Sequence, residues 1–322
     1  MKKILLLIFC IALTGCVSSK AQFEEQGFGE GVFIPKYPVI FVHGLGYDGA
    51  YWRDSKTFKK LKQLGWDAGE DIRVEVKDGK RVVKPEFIKP ADIYSISLSS
   101  GVLAIVQQGE ELAEIIKKVK LFNRVDKVIL IGHSMGGLAI REYLQSDYYK
   151  NDVAGFVSVG TPHQGSNFDL EKLTLKVVPK FFRDFVWEVD LKSDAVRDLR
   201  PKSVYLEGGN EDESPEEFKN KDINLNGIVP EVIKGLNDFE KKPLPEDIMY
   251  AVIIGSGCPL IATRTQCSWS DGVVKVSSQD LNAIPGVNVK GPVYYTEKDH
   301  FGEANDSWVL IQALKGYLVQ IQ

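Results

Sequence analysis

The stretch KVILIGHSMGGLAIREYL, residues 127–144, decides the fold of this chain. After Lys127, residues 128–131 form a continuous apolar run, which predicts a buried strand at 127–131, and residues 138–144 predict a helix. The junction between them is rich in glycine, which permits a sharp turn. Ser134 lies in this junction, inside the G-x-S-x-G pattern of a nucleophile elbow. We therefore expect Ser134 to stand clear of the sheet at the end of a strand.

Apolar runs rich in β-branched residues recur along the chain on both sides of this stretch. They predict strands at 37–42, 93–98, 127–131, 153–159, 249–254, 273–277 and 293–296. Helical spacing of apolar residues predicts helices at 102–122, at 138–144 and, behind possible caps at Asn305 and Asp306, at 308–321. Strands that alternate with helices predict an α/β fold with a mostly parallel sheet flanked on both faces. Residues 72–83 alternate around Asp78-Gly79, which predicts a hairpin that makes a surface excursion.

The composition changes between residues 166 and 247. This part of the chain contains the aromatic run FFRDFVW at 181–187, an acidic run at 211–217 and five prolines. We predict an inserted cap at 166–247, placed between two parts of one core domain, 34–165 and 248–322. The aromatic run is either a lid that meets an apolar acyl chain or part of the packing inside the cap, and the sequence leaves both open.

A serine hydroxyl becomes a strong nucleophile only when a base takes its proton, and histidine is the usual base. The chain contains four histidines. His133 lies inside the elbow, His43 follows the first strand and His163 lies at the entry to the cap. His300 follows the last predicted strand, in a loop that is free to approach Ser134. We therefore predict that His300 is the base.

The acid that orients this imidazole is expected between the nucleophile and the base in chain order. Asp271 meets this requirement. Asp280 and Asp299 compete with it, but Asp280 lies beyond the next predicted strand and Asp299 is adjacent to His300. An Asp before a Gly is also common in turns, so a purely structural role for Asp271 remains an alternative.

Attack on a carbonyl builds negative charge on its oxygen, and backbone N–H groups must already face that position. Met135, directly after Ser134, can supply one amide. Leu45, in the His43-Gly44-Leu45-Gly46 loop after the first strand, can supply the second. We predict that His43 shapes this loop through hydrogen bonds rather than acting in catalysis.

The amino terminus has the features of an export signal. Lys2 and Lys3 precede an apolar run at 4–13, which ends in the sequence LTGC at 13–16. This resembles a bacterial lipobox, and the resemblance implies that residues 1–15 are removed and that Cys16 carries a lipid. We expect residues 16–33 to form a tether and the protein to lie in the bacterial cell envelope, with Val17 favouring the outer membrane. An ordinary secretory signal is the alternative.

The net charge of the chain argues against a nucleic-acid partner. Removing residues 1–15 takes away two lysines and no acid, so the formal charge changes from −4 to −6. The sequence contains no block of basic residues that would indicate a nucleic-acid partner. Attachment to a membrane would come from the lipid anchor. The remaining cysteines, Cys258 and Cys267, predict a disulfide in an oxidising compartment. They lack the nearby His pair that would complete a zinc site.

Five segments together resemble the bacterial lipase/esterase branch of the α/β-hydrolase superfamily. They are PVIFVHGL at 38–45, GHSMGGL at 132–138, GTPHQGS at 160–166, DGVV at 271–274 and His300. The resemblance implies the α/β-hydrolase fold and a triad of Ser134, Asp271 and His300. It implies an ester substrate and favours a lipid ester. It also implies amide donors at Leu45 and Met135.

The chain departs from that pattern in two places. The hairpin at 72–83 is extra, and Gly302 stands where some related lipases carry a calcium-binding Asp. We therefore predict no cofactor and no metal.

Other functions use the same residues. A thioesterase, a phospholipase or a lipid-anchor deacylase would need the same triad, and the fold alone does not separate them. A lipid-anchored binding protein that has kept the scaffold without catalysis is a further alternative. All expected catalytic positions carry competent residue types, which favours an enzyme.

Overall fold

The computed structural model of this chain describes residues 34–166, 193–199, 232–257 and 270–320. The predicted signal, the tether, Cys16, the 181–187 aromatic run, Cys258 and Cys267 lie outside these residues. The same is true of most of the predicted cap.

The core is one eight-stranded sheet in the order β3-β2-β4-β1-β5-β6-β7-β8. Neighbouring strands are parallel except for β2 and β3. The mostly parallel sheet that the sequence predicts is thus confirmed. The strands are β1 Val39–Val42, β2 Ile72–Lys77, β3 Lys80–Lys84, β4 Ile93–Ser97, β5 Val128–His133, β6 Val153–Val159, β7 Met249–Gly255 and β8 Val293–Thr296.

Eight α-helices and two short 3-10 turns complete the described part of the fold. The helices are α1 Ala50–Arg53, α2 Lys56–Gln63, α3 Ile105–Asn123, α4 Met135–Leu144, α5 Asp194–Asp198, α6 Val232–Leu236, α7 Val276–Gln279 and α8 Ser307–Gln320, and the turns are Leu281–Ala283 and Glu303–Asn305.

Alternate residues of β1 show that both faces of the sheet are covered. Ile40 and Val42 join a large apolar cluster that includes residues of α3 and α4. Phe41 points the other way, and its ring lies 5.0 Å from Trp52 and 5.6 Å from Phe58. Side chains alternate between the two faces along a strand, and both faces are covered here. Every residue of β1 is therefore buried, and its sequence is a continuous apolar run.

The hairpin at 72–83 belongs to the sheet, so the predicted surface excursion is wrong. Asp78 and Gly79 both have positive φ, 52° and 72°, as the tight turn between β2 and β3 requires. However, Ile72 pairs with Ile96 of β4 in parallel. The hairpin therefore extends the sheet at one edge.

The strand predicted at 273–277 is also wrong. The backbone bends through Val273 and Val274, and α7 begins at Val276. The amides of Val273 and Val274 donate to the Asp271 side chain at 2.8 and 2.7 Å. These amides are therefore unavailable for a strand ladder.

The final helix begins where the sequence predicts. Asp306 lies before α8, and its Oδ1 accepts the Val309 N–H at 3.3 Å, which satisfies one free donor of the helix terminus. Asn305 instead accepts the Lys56 N–H at 2.9 Å. Among the helices of the described residues, none combines the length and the apolar character needed to cross a bilayer.

Candidate active site

Ser134 occupies the sharp turn between β5 and α4. Its φ of 53° and ψ of −127° are rarely adopted by residues other than glycine, so the surrounding structure must hold this strained backbone in place. The Ser134 N–H donates to the Val159 carbonyl at 2.8 Å. A Cβ on Gly132 would lie 2.6 Å from the Gly137 nitrogen, so the close approach of α4 to β5 requires glycine there.

The structure brings the three candidate catalytic side chains into one hydrogen-bonded line. The His300 Nε2 lies 2.9 Å from the Ser134 Oγ, and its Nδ1 lies 2.8 Å from the Asp271 Oδ2. A carboxylate only accepts, so Nδ1 carries the proton and Nε2 is free to accept the Ser134 hydroxyl hydrogen. This is the arrangement that a serine nucleophile and its base require.

Asp271 is held by four donors and is fully buried. Its Oδ1 accepts the amides of Val273 and Val274, and its Oδ2 accepts His300 and, at 3.0 Å, the Gln279 side chain. These hydrogen bonds compensate for the desolvation of the carboxylate and fix its orientation.

Gln279 is a residue that sequence reasoning missed. Besides its bond to Asp271, its Nε2 donates to the Gly255 carbonyl at 3.1 Å, and its Oε1 accepts the Gly255 N–H at 2.7 Å. It thereby ties the Asp271 loop to the end of β7. No local pattern signals this role, since a buried Gln looks like any other polar residue in the sequence.

The two competing acids lie elsewhere in the hydrogen-bond network. Asp280 accepts the Asn282 N–H at 3.0 Å, and Asp299 accepts the Gly302 N–H at 2.8 Å. Both bonds are local turns, whereas the Nδ1 of His300 faces Asp271. His163 is fully buried, its backbone N–H donates to Ser278, and burial lowers the pKa of its imidazole well below the usual value.

His43 shapes the loop after β1. Its Nδ1 lies 2.9 Å from the Gly44 carbonyl, and its Nε2 accepts the Leu98 N–H at 3.2 Å. Burial lowers the pKa of His43, which favours the neutral ring that this pattern needs. The Gly46 N–H also donates to the Gly101 carbonyl at 2.9 Å. The loop that carries Leu45 is therefore anchored at two points.

The amides of Leu45 and Met135 are free to serve an incoming oxygen. Met135 begins α4 directly after Ser134, and Leu45 lines the same pocket as Ser134. Neither amide donates to an acceptor within the described residues. Leu45 and Met135 also pack against residues of α5 and α6, which belong to the predicted cap. The described parts of the predicted cap thus share one apolar cluster with both residues that carry the candidate amides.

The pocket at Ser134 is small, with a volume of about 20 Å³. Its walls combine apolar residues with five polar side chains, which include those of Ser134 and His300. They comprise Gly44, Leu45, Tyr47, His133, Ser134, Pro162, Ser166, Leu199, Val273, Val274, His300 and Phe301. A larger cavity of about 610 Å³ lies between β3 and α3, but its lining contains no serine and no histidine. The smaller pocket is therefore the one that holds the candidate nucleophile and its base.

Within the described residues, His133, His300 and Glu303 form the one group with the composition of a metal-ligand set. Both ring nitrogens of His300 already face Ser134 and Asp271, and the Nε2 of His133 lies 2.8 Å from the His300 carbonyl. Because these ring nitrogens already have partners, we interpret the group as support for the candidate base and not as a metal site.

Comparison with known proteins gives a family and a fold. A family model described as the PGAP1-like alpha/beta domain matches residues 34–214. Among solved structures, the mature form of a Bacillus licheniformis lipase, BlEst2, has a TM-score of 0.54 at 17% identity, over 88% of this chain and 92% of that one. The propeptide form of the same lipase has a TM-score of 0.55 at 16% identity, and the match covers 91% of this chain and 52% of that one.

Two curated relatives are more similar in sequence over a shorter range. Proteins named triacylglycerol lipase from Pseudarthrobacter phenanthrenivorans and Burkholderia plantarii are each 41% identical over 145 residues, or 45% of this chain. The match covers 39% of the first relative and 35% of the second.

Proposed function

Because this chain belongs to the PGAP1-like alpha/beta domain family and has the α/β-hydrolase fold, we propose that it is a serine hydrolase that cleaves carboxylic esters. The observation that carries the proposal is the line from Asp271 through His300 to the Ser134 Oγ, with distances of 2.8 and 2.9 Å. A structural serine would need neither this base nor the strained turn that presents it.

The reaction follows from these contacts. His300 takes the hydroxyl proton as the Ser134 Oγ attacks the ester carbonyl, and the amides of Leu45 and Met135 hold the oxyanion. The imidazolium then gives its proton to the alcohol, which leaves an acyl group on Ser134. Water attacks this acyl-enzyme with His300 again as base, and the imidazolium returns the proton to the Ser134 Oγ as the acid is released. Asp271 stabilises the imidazolium in both halves.

A lipid ester is the substrate class that we favour. Two relatives at 41% identity are named triacylglycerol lipase, although they match over less than half of this chain. The pocket walls include Leu45, Leu199, Val273 and Val274, which suit an apolar acyl chain. Assay of the purified protein against triacylglycerols, thioesters and phospholipids would separate a lipase from a thioesterase or a phospholipase.

The central experiment is the variant Ser134→Ala. We expect it to lose hydrolysis of p-nitrophenyl butyrate while its thermal unfolding stays close to that of the wild type. A fluorophosphonate should label the wild-type protein at Ser134 and leave the variant unlabelled. Turnover that survives in the variant would reject Ser134 as nucleophile, and absence of both turnover and labelling in the wild type would favour a binding protein.

We also propose that the protein is exported to the bacterial cell envelope and attached to the outer membrane through a lipid on Cys16. In this oxidising compartment we propose a disulfide between Cys258 and Cys267. The support is the LTGC sequence behind an apolar run and the export that it implies. Cys16→Ser should move the protein from the membrane fraction to the soluble fraction. Thiol alkylation with and without reduction, followed by mass spectrometry, tests the disulfide.

A further inference from the structure

Glu303 is a fully buried carboxyl group that lies directly behind the candidate triad. It fills space that two glycines leave at the carboxyl ends of neighbouring strands. A Cβ on Gly160, after β6, or on Gly255, at the end of β7, would overlap the Glu303 carboxyl oxygens. The sheet is therefore built around this side chain, although the catalytic steps proposed above do not use it.

Its surroundings are polar and include two further carboxyl groups, two imidazoles and a phenol. The Glu303 Oε2 lies 3.3 Å from the His133 Nε2 and 3.9 Å from the His300 Nδ1. The titratable groups that face it come from four parts of the fold: Tyr51 of α1, His133 of β5, Asp271, and Asp299 and His300 from the loop after β8.

As a carboxylate, Glu303 would lack an adequate donor. Among the described residues no donor is available to either oxygen: the His133 Nε2 is engaged by the His300 carbonyl at 2.8 Å, and the side-chain partner that Glu303 does have, Asp271, is an acceptor. An unpaired buried charge is costly, and a second charge beside Asp271 adds repulsion. Burial raises the pKa of Glu303 well above its usual value, and Asp271 raises it further. The neutral acid is thus the favoured form.

We propose that Glu303 is a positioning residue of the triad, which as a neutral acid donates a hydrogen bond to the Asp271 carboxylate. This inference rests on the proposed function of that site. The added donor draws charge away from Asp271 and so weakens its hold on the His300 imidazolium. We therefore expect catalysis that uses His300 as a free base to extend to lower pH than it would without this donor.

Two variants test this through the pH dependence of kcat/KM for p-nitrophenyl butyrate. Glu303→Gln keeps the shape and a donor, so it should leave the acidic limb in place and lower kcat by only about 2–3-fold. Glu303→Leu removes the donor, so the acidic limb should move to higher pH, with kcat at neutral pH lowered roughly 10-fold and little change in KM. Glu114→Gln, an exposed carboxyl on α3, is the matched control and should keep the wild-type profile.

Two results would overturn the proposal. If Glu303→Gln moves the acidic limb to lower pH, Glu303 is ionised in the wild type and strengthens the imidazolium. If Glu303→Leu is folded and keeps the wild-type limb, the side chain only fills space. Thermal unfolding of each variant shows whether it is folded.

A second measurement does not depend on catalysis. The infrared difference spectrum between the wild type and Glu303→Gln at neutral pH should contain the carbonyl band of a protonated carboxylic acid. Absence of this band would reject the neutral acid even in an active enzyme. Conversely, presence of the band in a protein without esterase activity would support the neutral acid while rejecting the proposed function.

Discussion

The Oδ2 of Asp198, the last residue of α5, accepts the backbone N–H of Ile105, the first residue of α3, at 2.8 Å. Arg197 pairs with the other oxygen of the same carboxyl at 2.8 Å. Asp198 is buried, and this burial raises its pKa to about 6 despite both partners. The helix α5 is therefore joined to the start of α3 by a carboxyl whose raised pKa lies in the mildly acidic range.

Asp198→Asn should alter how stability depends on pH. Because the pKa of Asp198 is raised on folding, its favourable contribution is present in the protonated form and is lost as the pH rises through about 6. Between about pH 4 and about pH 7, the wild type should lose up to about 3 kcal/mol relative to the variant. Urea unfolding across this range measures the difference, and parallel curves for the two proteins would contradict the assignment.

Gln279→Ala should lower kcat roughly 10-fold, because Asp271 loses the side-chain donor that fixes its Oδ2 and the loop loses its link to Gly255. Gln279→Glu should be worse, since it places a second acid against Asp271. Gln164→Ala is the matched control, as the Gln164 side chain donates to the Ser277 carbonyl at an exposed position. Steady-state kinetics measure kcat for each variant. Equal kcat values for Gln279→Ala and the control would exclude a role of Gln279 in positioning Asp271.

Gly132→Ala should destabilise the protein by more than about 3 kcal/mol, since the new Cβ would lie 2.6 Å from the Gly137 backbone, which has no room to move. Gly286→Ala provides the comparison. Gly286 has a φ of 78° and no atom within 4 Å of the added carbon, so only backbone strain of about 1–2 kcal/mol is expected. Chemical unfolding of both variants tests this, and similar losses would show that packing at the elbow is looser than described.

Much of the fold could be predicted because the buried strands are continuous apolar runs, as in β5 and β6. The sequence could also name the candidate side chains that the structure brings together, because few candidates exist, above all among the four histidines. The strand predicted at 273–277 failed for a physical reason. The same β-branched residues that suggest a strand instead donate their amides to Asp271.

Gln279 and Glu303 could not have been predicted in this way. Their roles depend on contacts with residues far away in the chain, such as His133 for Glu303 and Gly255 for Gln279. No periodic pattern records such contacts. The lipid site at Cys16 and the Cys258–Cys267 pair remain predictions, since they lie outside the described residues.

His43→Ala should separate the shape of the oxyanion loop from the triad. The His43 ring joins the Gly44 carbonyl to the Leu98 N–H, so its loss leaves a buried donor unpaired and loosens the loop that carries Leu45. We expect kcat to fall roughly 10–100-fold with little change in KM, because the Leu45 amide acts on charge that develops only in the transition state.

The control for this variant is Ser100→Ala. Within the described residues the Ser100 Oγ accepts the nearby Val102 N–H at 3.3 Å and no contact joins it to the triad, so its removal should leave kcat close to that of the wild type. Because the Ser134–His300–Asp271 line does not include His43, the acidic limb of the pH profile should stay in place in His43→Ala. A displaced limb would mean that His43 influences the base itself. A large rise in KM with kcat retained would mean that it acts on substrate binding.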